Sequence, residues 1–357
     1  MNEHKFPYNW TLKDAVFTKD KGKVFSCFAC GGGSTMGYKI AGFDVLGCNE
    51  IDPKMIEAYK VNHNPKYAYL EPIQTFKLRK DLPKELYELD ILDGSPPCSS
   101  FSMAGNREKD WGKDKVFREG QAMQVLDTLF FDFIDLAKEL KPKVVIAENV
   151  KGLLMGNAKS YVIAIYKAFD EAGYTCQHFL LDASKMGVPQ RRERVFFIAL
   201  RKDLSEQFME QKDMFTYLPK LDMNFNEKEI PFKEIDCGKN ADPMYAVPPS
   251  YLELYNKVKT GDNFATVHPK GHLFGGYKIN PNNALNTFTP HDKSRSGAFH
   301  YQTCRTLTKK EIMLCSSFPL DYTPNPLNIS YACGMSVPPV MTANIASNIY
   351  DQWLSKI

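Results

Sequence analysis

The chain has 357 residues, 43% of them from the set AVILMFWYC and 24% charged, with a formal net charge of +3. This is the composition of a globular protein too long for one ordinary core, and no apolar run approaches the roughly 20 residues that a bilayer span requires. Met1 to Trp10 lack the apolar stretch of a signal peptide, and nine scattered cysteines suit a reducing compartment. A cytoplasmic protein with no membrane partner is therefore expected.

In chain order, Val24–Phe28, Asp44–Cys48, Leu89–Leu92, Val144–Ala147, His178–Leu181 and Val195–Leu200 are short apolar runs that predict buried strands, while Pro53–Asn62 and Gln121–Leu140 predict helices. In the second helix Leu126, Leu129, Phe130, Phe133, Ala137 and Leu140 recur at intervals of three and four, which gives one face to lay on a sheet. Alternating strands and helices imply an α/β domain with a mostly parallel sheet. From about Arg201 the periodicity fades and Asn, Pro, Gly and Lys increase. Residues 1–200 are thus expected as one domain, 201–303 as a second, loop-rich one, and 304–357 as a closing segment. Thr308-Lys-Lys-Glu311 has the spacing of a capping box that opens a helix.

Ligands of an open α/β sheet bind beyond the carboxyl ends of its strands. The first strand ends in Phe28-Ala-Cys-Gly-Gly-Gly33, a turn where backbone can approach a ligand closely. The second ends in Asn49-Glu50-Ile51-Asp52, placing an acid where adenosine ribose hydroxyls could be bound. There is no G-x-G-x-x-G phosphate fingerprint, so a nucleoside without pyrophosphate is favoured, and S-adenosylmethionine fits. The third run leads into Gly94-Ser-Pro-Pro-Cys98-Ser-Ser-Phe-Ser102, where two prolines without N–H groups stiffen the turn before a thiol. Alone, Cys98 reads equally as a nucleophile or as a small buried hydrophobe. A further strand ends in Glu148-Asn-Val150. Finally, Arg192 and Arg194 lie two apart before the last strand, so in extended chain they share a face, suited to phosphate, carboxylate or a base edge. Cys27-x-x-Cys30 has no second pair, and His268 and His272 lie in a Pro- and Gly-broken stretch, so no metal site is expected.

These residues, in this order, resemble the cytosine carbon-5 DNA methyltransferases of bacteria and phages. Gly94–Ser102 is similar to that family's Pro-Cys-Gln-x-Phe-Ser loop, Glu148-Asn-Val150 to its Glu-Asn-Val, and Gln190-x-Arg192-x-Arg194 to its Gln-x-Arg-x-Arg. Arg305-Thr-Leu-Thr308 through Phe318-Pro319 and Gly334-Met-Ser-Val-Pro-Pro339 are similar to its two closing motifs. Cys30, Ser99 and Met335 depart from the usual Gly, Gln and Asn. The resemblance implies a Rossmann-like S-adenosylmethionine-dependent methyltransferase fold, with 201–303 as target-recognition domain and 331–357 returning to the catalytic one. It further implies a catalytic set of Cys98, Glu148, Arg192 and Arg194, with Cys98 adding to cytosine carbon-6, Glu148 at N3, Arg194 at the ring carbonyl, and Arg192 at a phosphate or the catalytic loop. Phe28, Gly32, Gly33, Glu50, Ile51, Pro97, Leu129 and Ser336 are implied at the cofactor and Ser102 at the nucleic acid.

Between Asn256 and Lys310 nine Lys or Arg face two Asp, a local balance expected to bind phosphates through Lys257, Lys270, Lys293 and Arg295. The partner implied is double-stranded DNA, bound by a monomer, with room for a cognate restriction endonuclease in the same system. A tRNA cytosine methyltransferase and a non-catalytic nucleic-acid-binding relative are the alternatives.

Overall fold

The computed structural model describes residues 4–97, 128–155, 159–213, 216–239, 242–247, 249–272, 275–287 and 297–357, with the backbone of 114–115 and 124–125. Cys98, Ser102, Lys293 and Arg295 lie outside the described residues. The chain forms two compact units. One comprises Val16–Leu181, Glu193–Asn224 and Ala343–Ile357; the other comprises Met1–Ala15, Asp182–Arg192 and Phe225–Thr342.

The first unit is built on a seven-stranded sheet. Its strands are β1 (Lys23–Cys27), β2 (Asp44–Glu50), β3 (Tyr67–Leu70), β4 (Ile91–Gly94), β5 (Val144–Val150), β6 (Tyr174–Asp182) and β7 (Glu193–Arg201), in spatial order β3-β2-β1-β4-β5-β7-β6. The pairs β1–β2, β1–β4, β2–β3 and β4–β5 are parallel, whereas β7 runs antiparallel to β5. Strand order reverses at β1–β4, the kind of switch point beyond whose carboxyl ends open α/β sheets bind ligands. The Val- and Ile-rich run Val144–Ala147 is buried on both sides, as expected of a strand covered by helices on two faces.

Around the sheet lie α1 (Gly33–Ile40), α2 (Pro53–His63), α3 (Leu129–Leu140) and α4 (Lys159–Glu171). The start of α2 follows from its sequence: the Asp52 side chain accepts the Lys54 and Met55 N–H groups, and Pro53 occupies the first turn, where its missing N–H costs nothing. Helix α3 begins at Leu129, later than its apolar spacing predicts, and buries Phe130, Phe133, Ile134, Ala137 and Leu140. Phe130 meets Phe197 edge-on at 5.4 Å and Phe25 stacks on Phe76 at 5.7 Å. These rings belong to one buried core cluster against the sheet.

Past Arg201 the chain stays with the sheet unit through a hairpin, Met209–Gln211 with Tyr217–Pro219. Trp353, fully buried, donates its indole N–H to the Lys220 carbonyl at 2.7 Å. In the second unit Gln190–Arg191 pairs in parallel with Leu285–Asn286, and Phe264 stacks on Phe299 at 4.6 Å. It also contains α5 (Pro249–Lys257), α6 (Lys309–Cys315) and α7 (Ile329–Met335). The capping box of α6 is present in both directions. Among the described residues no helix is long and apolar enough to cross a membrane, and the eight described cysteines are free.

Candidate active site

Glu148 and Arg194 are brought together. The β5–β7 register sets Arg194 opposite Val150 and Phe196 opposite Glu148, so the two charged side chains are diagonal neighbours on one face. Arg194 Nε approaches Glu148 Oε1 to 3.0 Å, both side chains less than one-fifth exposed. Glu193 points the other way and pairs with Lys151 at 2.8 Å. Asn149 donates its amide to the Pro96 carbonyl at 3.1 Å, tying β5 to the proline turn that leads to Cys98. Pro97, the last residue described there, is half-buried.

Arg192 does not stand beside Arg194. The strand breaks at this residue: its backbone N–H donates to Asp182 Oδ1, and its buried guanidinium Nη2 donates to the Gly334 and Ser336 carbonyls at 3.1 and 3.0 Å. Arg192, expected at a phosphate or the catalytic loop, thus holds the Gly334–Ser336 segment through Nη2. Ser336 is itself buried within that second unit.

At the end of β1 the chain turns sharply. Gly32 has φ 87°, and a Cβ there would lie 2.0 Å from His63 Nε2, so only glycine fits. His63 is buried beneath this turn and donates Nε2–H to the Gly31 carbonyl at 3.4 Å; burial pulls its pKa down to about 3, so the ring is neutral. Phe28 and Cys30 also have positive φ, 51° and 49°. Burial pushes the Cys27 thiol well up, which removes it as a thiolate partner for Cys30.

Glu50, at the carboxyl end of β2, accepts backbone N–H bonds from Cys30 at 2.8 Å, Ile51 at 2.9 Å and Asp52 at 3.0 Å. A carboxylate has about four lone-pair sites, so acceptor capacity remains beside these three bonds. Its pKa is raised, chiefly by burial. Ile51 is half-buried beside it. Leu129, expected at the cofactor, is fully buried in the core with Phe25, Phe130 and Phe133.

One residue was missed. Asp93, an acid inside the apolar strand Ile91-Leu92-Asp93-Gly94, accepts hydroxyl bonds from Ser26 at 3.1 Å, Ser34 at 2.8 Å and Tyr38 at 3.0 Å. Burial raises its pKa to about 6. An ionisable group in the last turn of a buried strand is the signal that could have found it.

The basic stretch is less basic than its count. Arg305 is buried and donates two hydrogen bonds to the Glu311 carboxylate at 2.7 and 2.8 Å, and Lys278 lies over the Tyr255 ring at 4.2 Å. Lys257 is exposed and paired with Glu253, while Lys270 is exposed. Asp236, His300 and Glu311 bring ligand-type atoms within 4.8 Å of one another, but Arg305 already fills that centre.

A glycine turn, an acid after β2, a proline turn before a cysteine and a Glu–Arg pair thus occupy the carboxyl edge of one sheet. Residues 22–351 match the C-5 cytosine-specific DNA methylase family. The chain belongs to that family. This family member is 37% identical over 184 residues to the type II methyltransferase M.FnuDI of Fusobacterium nucleatum, covering 51% of this chain and 48% of that protein. It is 25% identical over 345 residues to M1.HphI of Haemophilus parahaemolyticus, covering 90% and 85%. The chain spans about half the length of the first of these curated relatives. Among solved structures, a prophage-encoded E. coli protein described as a DNA modification methyltransferase shares the fold, with a TM-score of 0.63 at 20% identity over 92% of this chain and 99% of that one. The S. pombe Dnmt2 methyltransferase does so with a TM-score of 0.61 at 15% identity over 92% and 98%. The fold is therefore that of the S-adenosylmethionine-dependent methyltransferases.

Proposed function

We propose that the protein is a sequence-specific DNA (cytosine-5)-methyltransferase that uses S-adenosylmethionine inside the cell. The observation that carries this reading is the Glu148–Arg194 pair, held on two adjacent strands beside the Asn149–Pro96 bond that roots the Cys98 turn.

Cytosine carbon-5 is a poor nucleophile because attack from it disrupts the aromatic ring. Addition of the Cys98 thiolate to carbon-6 removes that obstacle, as a covalent intermediate divides one difficult step into two easier ones. Glu148 supplies or shares a proton at N3 as negative charge develops on the ring, and Arg194 holds both Glu148 and the ring carbonyl. S-adenosylmethionine supplies the electrophilic methyl group, with Gly32, Gly33, Phe28, Glu50, Ile51 and Pro97 as its binding residues. Once carbon-5 carries the methyl group, its proton passes to water, the carbon-5–carbon-6 double bond re-forms and Cys98 leaves as the thiolate. The base must leave the stack first, at a cost of a few kcal/mol, which the recognition unit and its exposed lysines offset by binding double-stranded DNA. Relatives named type II methyltransferases support a cognate endonuclease as partner, and those named orphan methyltransferases support an enzyme working alone.

The test is transfer of labelled methyl to unmethylated duplex DNA and, in parallel, to unmodified tRNA, followed by bisulfite sequencing. Methylated cytosines in one short duplex context support the reading; label in tRNA alone replaces it with the RNA enzyme. Cys98→Ser should abolish transfer while calorimetry still shows cofactor binding, and turnover surviving in that variant removes Cys98 from the mechanism.

A further inference from the structure

The glycine turn after β1 is held in shape from outside. Phe28, Cys30 and Gly32 all have left-handed backbones, at φ 51°, 49° and 87°. For Phe28 and Cys30, which carry a Cβ, that conformation is unfavourable and persists only where the surroundings impose it. Two side chains grip the turn. Glu50 accepts the Cys30 N–H at 2.8 Å, and His63 donates Nε2–H to the Gly31 carbonyl at 3.4 Å.

His63 is the last residue of α2, and two contacts fix that helix end on α1. Lys39 donates to the His63 carbonyl at 3.1 Å, and Thr35 and Tyr59 share a hydroxyl hydrogen bond at 2.8 Å. The Tyr59 ring packs on the imidazole at 4.6 Å between centroids. On its other side the imidazole meets the turn, since a Cβ on Gly32 would lie 2.0 Å from Nε2. Among the described residues the second ring nitrogen, Nδ1, is buried with no hydrogen-bond partner. Burying an acceptor unpaired opposes folding, so a phenyl ring would fill this space at less cost. What a phenyl ring cannot do is donate to Gly31.

We propose that His63 is a positioning residue for the methyl donor: from beneath the turn its Nε2–H fixes the Gly31 carbonyl and holds the backbone from Phe28 to Gly33 in the form that receives the donor. This rests on the methyl-donor reading above, which assigns Phe28, Gly32 and Gly33 to that ligand. The imidazole acts through the backbone. When a turn samples other forms, apparent affinity falls with the fraction that is competent to bind. Loss of the His63 donor therefore weakens binding and has little effect on the chemistry of the bound complex.

The test compares two variants. His63→Phe keeps a ring and removes the donor, whereas His63→Gln places an amide N–H about as far along the side chain as Nε2. In titration calorimetry His63→Phe should bind S-adenosylmethionine about fivefold more weakly, the net effect of one hydrogen bond, and His63→Gln should come within about twofold of the wild type. In labelled methyl transfer to duplex DNA, KM for the donor should rise in His63→Phe by the same factor, with turnover at saturation changed far less. Unchanged affinity in a folded His63→Phe protein overturns the proposal, as does a His63→Gln protein that binds no better than it. The wild type supplies an arm that needs neither variant to fold. In nitrogen NMR of histidine-labelled protein at pH 7, the imidazole with through-space contacts to the Tyr59 ring should be in the neutral Nε2–H form, and an Nδ1–H form overturns the proposal. Failure of S-adenosylmethionine to bind the wild type would instead overturn the methyl-donor reading, and the proposal with it.

Discussion

At Cys30 a left-handed backbone and a side chain coexist in the turn that the family normally builds from glycine. A φ of 49° brings a Cβ toward the following carbonyl, which costs about 1–2 kcal/mol, while glycine there loses about 0.5–1 kcal/mol in unfolded-state freedom. Cys30→Gly should therefore leave urea stability equal or slightly raised, whereas Cys30→Val, branched at Cβ, should lower it clearly. A stable valine variant would show that the turn is not strained. Asp93 makes a second stability statement. Its folded pKa, about 6, lies above the ordinary 3.8, so the folded state holds the proton more tightly, and the associated stability is full below pH 4 and lost as pH rises through 6. That loss amounts to roughly 3 kcal/mol at 1.36 kcal/mol per pKa unit. Asp93→Asn should remove this part of the pH dependence. Urea midpoints of wild type and variant that run parallel from pH 4.5 to 7.5 would contradict the buried-carboxylate account.

Among the elements, α6 shows how local sequence and buried charge combine. Thr308 accepts the Glu311 N–H at 3.2 Å while Glu311 accepts the Thr308 N–H at 2.8 Å, and the same carboxylate neutralises Arg305. Thr308→Ala removes one cap and should cost about 1 kcal/mol. Glu311→Gln removes the nearer of the two carboxylates at the buried Arg305 guanidinium, leaving Asp236 at 3.6 Å, and should cost about 3 kcal/mol. Thermal unfolding of the two variants checks the order, and equal shifts would mean that Arg305 finds another partner. This box was legible from four residues because capping is a local rule. So were the apolar strands, the acid after β2 and the Glu-Asn-Val corner. Strand β3 was not, since Tyr67–Leu70 is a half-buried edge with no apolar run. Helix α4 carried a usable signal in Val162, Ile165 and Phe169, although no helix was expected there. Arg192 misled because alternation holds only while a strand continues, and the chain bends there to satisfy Asp182 and Ala183.

Across the whole molecule, pairings far apart in sequence decide what composition cannot. Residues 182–192 group with 225–342, while 343–357 return to the sheet unit, where Phe43 meets Tyr350 edge-on at 6.1 Å and Trp353 is buried. Neither grouping leaves a composition signal. Net charge is similarly misleading when counted along the chain, because a cation contributes to nucleic-acid binding only if its charge can reach a phosphate. Of the basic residues between 256 and 310, Arg305 and Lys278 are committed internally, whereas Lys270 is exposed. Removing one cation from a phosphate reduces the slope of log K against log salt by about 0.9. Lys270→Ala should thus flatten that slope by about this much and leave unfolding unchanged. Lys278→Ala should keep the slope and lower stability, because its ammonium donates to the Tyr255 carbonyl at 3.3 Å and covers that ring. Binding isotherms at four salt concentrations, set beside urea curves for both variants, separate the two roles. A flattened slope for Lys278→Ala would move the phosphate-binding face onto the aromatic cluster around Tyr255.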